Sequence, residues 1–386
     1  MLKIALLSPS MNDEVDIRNP ELGNPGLGGT QYNFITLPYY FNKFFPGQIE
    51  WSLLFSKRLL IPEHIIQHTY NSQNQLSDLL AANQFDFVIW RPVNDDPVFE
   101  AIKASNTSFI SWIHNVPDAK TLRLLADLPN IKANVFVGHE ALDLVRDHPI
   151  INKSTVIYNG FDPRPYFQAQ DQIRDPNSVV YLGSLHPAKC FHLLAQAWPK
   201  IHSKKPNAKL VVIGSGKLYN HESELGPYGL AEKRYEEQFI NPLLNAKGEI
   251  MDSVHFAGLL GEEKIPIMKK AAVGVINPHG KSEICPGSAI EFQACETPVV
   301  AGARFGNLDV IVANETGLLV KSNQELIDGI CELLDDEPKR NQLGKNGKNF
   351  ITEKFSQEST VNQWKSLFGK LSEGSKITVH PMKKNW

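Results

Sequence analysis

Glu283 and Glu291 stand eight positions apart, with Pro286-Gly287-Ser288 between them. The apolar helical pattern that starts at Ser288 predicts the second carboxylate about two turns into a helix, and the first where the preceding strand ends. Both then face one ligand from neighbouring positions. Gly287 and Ser288 present free backbone N–H groups at the helix N-terminus, a site suited to phosphate. Carboxylate, anion cradle, carboxylate suits a sugar nucleotide, which has hydroxyls at both ends and a pyrophosphate between them. The plainer alternative is an amphipathic helix carrying a solvated Glu.

Other segments repeat parts of this logic. A Gly-rich loop, Gly23 to Thr30 with Gly28-Gly29 at its end, leads from the first strand into a helical pattern. Glycines there let backbone approach a ligand closely, yet the spacing matches neither G-x-G-x-x-G nor the P-loop. At the start of the second half, Gly183 ends a strand, Ser184 follows, and Lys189 opens the next helix, where it can meet a diphosphate as a point charge. Gly214-Ser215-Gly216 is another strand-end turn. His114 closes the apolar run Ser108–Ile113, so its ring points to a ligand hydroxyl or phosphate, although a lone His is more often structural. The chain contains no D-x-D and no H-E-x-x-H, which argues against a tightly held catalytic metal. The aromatic cluster Tyr32, Phe34, Tyr39, Tyr40, Phe41, Phe44 and Phe45 reads first as the buried face of a helix kinked at Pro38. Stacking on sugar and resting at a membrane surface are its other readings.

These groups need a frame to hold them. With 386 residues the chain is too long for one ordinary core, and about two domains are expected. Apolar runs without alternation predict buried parallel strands at 3–8, 49–55, 85–90, 108–114, 134–138 and 154–158. A second series follows at 178–183, 209–214, 254–257, 273–277, 298–301 and 317–320. Helical patterns alternate with them, so the βαβ cycle occurs twice, with 159–177 as the natural link. The expected organisation is α/β: two Rossmann-like doubly wound domains, 1–160 and 161–360, facing across a cleft, then a C-terminal helix and tail, 361–386. Net charge is −3 with no basic excess in either half, so nucleic acid is not an expected partner. Four cysteines form no C-x-x-C pair and favour a reducing, cytoplasmic setting. The short apolar N-terminus reads as a strand rather than a signal peptide.

Taken together, the landmarks resemble the retaining glycosyltransferases of GT-B fold, glycosyltransferase family 4. The resemblance rests on Gly28-Gly29, His114, Asn159-Gly160-Phe161-Asp162, Gly183-Ser184-Leu185 with Lys189, and Gly214-Ser215-Gly216. It continues through Val254-His255-Phe256-Ala257-Gly258, Glu283 with Glu291, Pro298-Val299-Val300 and Thr316-Gly317-Leu318-Leu319-Val320. It implies that Glu291 holds the nucleotide ribose, and that Glu283 with the backbone around Cys285–Gly287 binds the donor sugar. Lys189 would neutralise the leaving diphosphate beside Gly28-Gly29, and His114 would lie near the transferred sugar. His255 and Phe256 would flank the base. The implied reaction is an anomer-retaining transfer of a hexose-type sugar from a UDP- or GDP-sugar to a glycan, lipid-linked or small-molecule acceptor, without a metal cofactor. Peripheral contact with a membrane and the oligomeric state stay open.

Three positions depart from the family pattern. Ser184 stands where Arg is usual, with Arg304 or Lys281 as substitutes for the missing cation. Ile284-Cys285-Pro286-Gly287 replaces Gly-Phe-Gly, and Pro286 has no N–H to donate. Glu296 replaces a Gly before Pro298. These departures leave a non-catalytic sugar-nucleotide-binding protein, or an epimerase on the same fold, as alternatives. The connection 217–252, with a helical stretch at Leu230–Leu243, reads either as a selectivity element or as a surface insertion.

Overall fold

The computed structural model describes residues 1–7, 15–25, 27–170, 172–217 and 224–377. Gly26, part of the connection after Lys217 and the end of the C-terminal tail lie outside them. The chain divides into two compact units, Met1–Phe161 with Phe355–Trp386, and Asp162–Lys354.

Unit 1 is built on a seven-stranded sheet of β1 (Leu2–Leu7), β2 (Ile49–Phe55), β3 (Ile66–Thr69), β4 (Phe87–Trp90), β5 (Ser108–Ile113), β6 (Ile131–Phe136) and β7 (Ser154–Val156). Its order is β3-β2-β1-β4-β5-β6-β7 and every neighbouring pair is parallel. The helices are α1 (Gly29–Phe44), α2 (Gln73–Asn83), α3 (Val98–Ala104), α4 (Ala119–Asp127) and α5 (His139–Asp143). Parallel strands need crossovers, and the helices that supply them bury both sheet faces; hence the fully buried β4 and the buried run 109–113 of β5.

Unit 2 repeats the plan with six parallel strands: β8 (Asp175–Leu182), β9 (Lys209–Ile213), β10 (Val254–Gly258), β11 (Ala271–Val275), β12 (Val299–Gly302) and β13 (Gly317–Val320), in the order β10-β9-β8-β11-β12-β13. Its helices are α6 (Arg164–Gln168), α7 (Phe191–Lys204), α8 (Lys233–Ile240), α9 (Lys264–Lys270), α10 (Gly287–Ala294), α11 (Asn307–Val310), α12 (Asn323–Asp335) and α13 (Glu337–Lys354). In each unit the winding direction reverses beside the first strand, between β1 and β4 and between β8 and β11. At such a reversal the loops leaving the two strands diverge and open a crevice at their carboxyl ends.

The last helix, α14 (Gln357–Ser372), belongs to unit 1. Trp364 packs edge-on against Trp112 at 5.2 Å, and Phe368 meets Phe41, Trp51 and Phe87 at 6.0–6.2 Å. Phe34, Tyr40 and Phe41 are buried in the same layer, so these members of the aromatic cluster form core. Pro38 lies inside a continuous α1. Gly160, from the Asn-Gly-x-Asp sequence, has a packing reason here: a Cβ would lie 2.3 Å from Gln357 Oε1.

The connection after Lys217 is more than a surface insertion. Tyr235 and Phe239 of α8 are buried in the unit 2 core, where Phe239 packs on Phe191 at 5.1 Å. Glu236, fully buried beneath them, accepts the N–H groups of Tyr228 (2.8 Å), Leu230 (2.7 Å) and Ala231 (3.2 Å). Glu296 takes a left-handed backbone (φ 55°), the conformation a Gly would adopt without strain. Lys348 pairs with its carboxylate at 2.6 Å and Arg174 donates to its carbonyl at 3.0 Å, which holds the turn.

Candidate functional site

At the reversal in unit 2, the loop after β8 and the loop after β11 meet through one side chain. Asn277 is 2% exposed. Its amide donates to the carbonyls of Ala188 (3.0 Å) and Lys281 (2.9 Å) and to Glu283 Oε1 (2.9 Å). Its Oδ1 accepts from Gly280 at 2.9 Å. Lys189 Nζ reaches the same Glu283 oxygen at 2.8 Å, with Glu283 6% exposed. Glu283 is thus held by a lysine from one strand-end loop and an asparagine from the other.

Lys189 ends a short 3-10 turn (Pro187–Lys189), not the start of the helix as expected; Cys190, left-handed at φ 53°, intervenes before α7. Tyr181 Oη donates to the Lys189 carbonyl at 3.1 Å. Glu283 sits in the loop rather than at a strand end, since β11 stops at Val275. Glu291 is the fifth residue of α10, little more than one turn in rather than about two. Helix α10 starts at Gly287, one residue before the predicted Ser288, so the expected two turns are an overcount, and the loop that Asn277 ties together after β11 is what separates Glu283 from the strand end. Lys264, on α9, grips Glu291 with both carboxylate oxygens at 3.0 Å and with both side chains largely buried.

Helix α10 begins at Gly287, with Pro286 at the N-cap and no side-chain cap. The N–H groups of Gly287 and Ser288 take no partner among the described residues. Nothing stands within 4 Å of a Cβ built on Gly287, so the helix end is open to a ligand. Cys285 is half-buried beside it. The uncapped terminus carries the positive end of the helix dipole, which favours an anion.

The neighbouring strand ends are stapled together. Gly183 N–H donates to Ile213 (3.1 Å), Gly214 N–H to Gly258 (2.8 Å), and Ser184 Oγ and Leu185 N–H both to Ser215 O at 3.2 Å. A Cβ on Gly214, at φ 152°, would stand 1.9 Å from the Gly183 carbonyl oxygen. Ser184 is 3% exposed and its hydroxyl is taken by backbone. Arg304 lies in the loop after β12 and donates to His279 Nε2 at 3.1 Å. Since Arg only donates, this nitrogen accepts and the His279 proton sits on Nδ1, a buried atom with no partner. Phe256 packs half-buried on Phe191 and Phe239 at 6.0–6.2 Å, while His255 is exposed on the edge strand β10.

In unit 1, Gly28 caps α1 and its N–H is taken by Gln31 Oε1 at 3.0 Å; Gly29, the next residue, has open space around it. His114 follows β5, 7% exposed, with Trp112 at 4.9 Å and Phe34 at 6.5 Å. Its Nε2 is buried without a partner. Burial, with the Arg91 charge adding to it, pushes the imidazole down to about 3. An unfolded His titrates near 6.5. Between these values the unfolded chain binds a proton that the folded one does not, so His114 lowers stability as pH falls from about 6.5 towards 3. Thermal unfolding of His114→Gln followed across this range is expected to show a flatter acid limb than wild type; parallel curves would contradict the assignment.

Among the described residues, no group of three or more His, Cys, Asp or Glu is placed to hold a metal ion, and no helix is long and apolar enough to cross a membrane. Sequence reasoning singled out Glu283, Glu291, Lys189 and the α10 terminus, but not Lys264 or Asn277. Lys264 sits in the charged run Glu262-Glu263-Lys264, which reads as solvated surface. Asn277 carried one signal, a polar residue ending an apolar strand run just before Pro278.

Two parallel, doubly wound units with a crevice at the reversal of each define the GT-B class. The crystal structure of Anabaena Alr3699/HepE in complex with UDP superposes with a TM-score of 0.68, covering 96% of this chain and 100% of that one at 14% identity. Residues 164–350, nearly the whole of the second unit, match the glycosyl transferases group 1. Among curated proteins, the uncharacterized glycosyltransferase MJ1178 of Methanocaldococcus jannaschii is 29% identical over 59% of this chain and 56% of its own length. The capsular polysaccharide biosynthesis glycosyltransferase CapM of Staphylococcus aureus is 27% identical over 52% and 49%. The match therefore spans about half the length of these relatives.

Proposed function

We propose that the protein is a retaining glycosyltransferase that moves a hexose-type sugar from a UDP- or GDP-sugar to a glycan, lipid-linked or small-molecule acceptor. The observation that carries this reading is the arrangement at the unit 2 reversal. Two carboxylates, each gripped by a lysine, flank an open helix N-terminus within a group 1 glycosyltransferase domain. Glu291 takes the ribose hydroxyls. The N–H groups of Gly287 and Ser288 meet the diphosphate, and Lys189 neutralises the charge that grows on it as the glycosidic bond breaks. Glu283 accepts donor-sugar hydroxyls, and its two partners fix its orientation before substrate arrives. Phe256 and His255 border the base. Unit 1 takes the acceptor, with His114 at the carboxyl end of β5. The UDP bound to HepE supports a uridine donor. The free cysteines support a cytoplasmic setting.

Ser184, buried and without charge where the family has a cation, favours one second reading: a sugar-nucleotide-binding protein that does not turn over. A panel of UDP-, GDP- and ADP-sugars, with nucleotide release followed in the presence and absence of acceptors, decides between them. Release is expected with one donor class, and the product linkage should keep the donor's anomeric configuration. Nucleotide binding without release from any donor would sink the transferase reading.

A further inference from the structure

Arg91 immediately follows β4 and His114 immediately follows β5, the neighbouring strand, with Trp90 paired to Ser111 in the parallel register. The two side chains therefore share the carboxyl edge of the unit 1 sheet, and the Arg91 charge acts on the His114 ring. Arg91 is partly buried and its Nε is a buried donor without a partner. Among the described residues it makes no hydrogen bond and no ion pair within 4.0 Å. The carboxylate nearest in charge, Asp96, is 8% exposed and accepts the backbone N–H groups of Val98 (3.0 Å) and Val93 (3.4 Å) instead.

A guanidinium cannot lose its proton, so a partly desolvated one whose counter-charge, Asp96, makes no hydrogen bond to it holds a cost that is only partly offset. His114 adds a second unmet group, an Nε2 that is buried and partnerless on a ring held neutral. Five fixed donors in a planar fork match the oxygens of a phosphate or carboxylate, and a neutral His114 with its proton on Nε2 would add one more donor. We propose that Arg91 and His114 form an oxyanion-binding site in unit 1, which selects an acceptor carrying a phosphate or carboxylate group. The acceptor half of this statement rests on the transferase reading above; the oxyanion site does not. Such a site explains why a charge is kept at this edge unpaired. It also narrows the acceptor from any hydroxyl compound to an anionic one.

The test is calorimetric titration of the full chain with inorganic phosphate, glucose 6-phosphate and glucose, with and without saturating UDP. Wild type, Arg91→Met and Arg91→Lys are compared, with melting temperatures as a control for folding. Both phosphate probes are expected to bind wild type, with and without UDP, and glucose at least 10-fold more weakly than glucose 6-phosphate. Arg91→Met should lose at least 10-fold in affinity for both phosphates, and Arg91→Lys should fall between, while affinity for UDP changes less than twofold. Equal phosphate affinity in wild type and both variants overturns the site, as does no phosphate binding at all. Displacement of phosphate by UDP, or loss of UDP affinity in Arg91→Met, assigns the oxyanion to the donor and overturns the acceptor assignment. Arg91-dependent phosphate binding in a chain that binds no nucleotide keeps the oxyanion site and removes the transferase reading.

Discussion

Replacing Lys189 with Met should reduce kcat with the preferred donor by about 100- to 1,000-fold, the range seen when one preorganised stabiliser of developing charge is removed. The substitution removes the cation proposed to face the leaving diphosphate, and it also strips Glu283 of its 2.8 Å partner. Glu283 then keeps only Asn277 on that oxygen, with 6% of its surface exposed. Removing one member of a buried pair costs about 3–5 kcal/mol of stability. Lys189 is partly open, at 23% side-chain exposure, so the loss here should fall below that range. Lys189→Arg keeps the charge and should restore part of the rate. Steady-state kinetics with both variants, beside a thermal melt, separate lost chemistry from lost fold. A kcat within fivefold of wild type in Lys189→Met would remove Lys189 from the transfer step.

Glu291→Ala is expected to weaken UDP or GDP binding by about 100-fold or more. Hydrogen bonds to a charged group contribute about 1.5–3 kcal/mol each, and a ribose offers two hydroxyls. The diagnostic quantity is the ratio of affinities for the nucleotide and its 2′,3′-dideoxy analogue. Wild type should prefer the hydroxylated form strongly, and Glu291→Ala should bring the ratio close to one. Lys264→Met should move the ratio in the same direction but less far, because it frees the carboxylate from its two 3.0 Å contacts without removing it. An unchanged ratio in Glu291→Ala would show that the ribose is held elsewhere.

The frame was legible because parallel strands buried on both faces leave long apolar runs. β2 and β13 fall at the positions the runs predict, and the other predicted strands shift by a few residues at their ends. β3 (Ile66–Thr69) was missed, because it is an edge strand of Ile-Gln-His-Thr with no buried residue and so no apolar run. In the site, carboxylates and glycines announce themselves by type and spacing, whereas their partners do not. Lys264 meets Glu291 across 27 positions, and Lys189 meets Glu283 across 94. Such pairings are products of strand order, and no local pattern encodes them. Arg91 illustrates the limit differently: its interest lies in the absence of a partner, which only coordinates reveal.

The placement of α14 has a consequence for how the chain is made. Unit 1 has its sheet and first helices complete once residue 161 has been synthesised, yet Trp364 and Phe368, which cover Trp51 and Trp112, come nearly two hundred residues later. During translation Trp112 has Phe34 and Trp51 has Phe41 as ring partners from α1, and the side that α14 covers waits while the whole of unit 2 emerges and closes around its own core. Units generally fold in the order they leave the ribosome, but here the first to emerge is the last to be finished. The nascent chain therefore carries an exposed aromatic surface for about half of its synthesis, and a ribosome that stalls before Gln357 releases a first unit whose core has never been sealed.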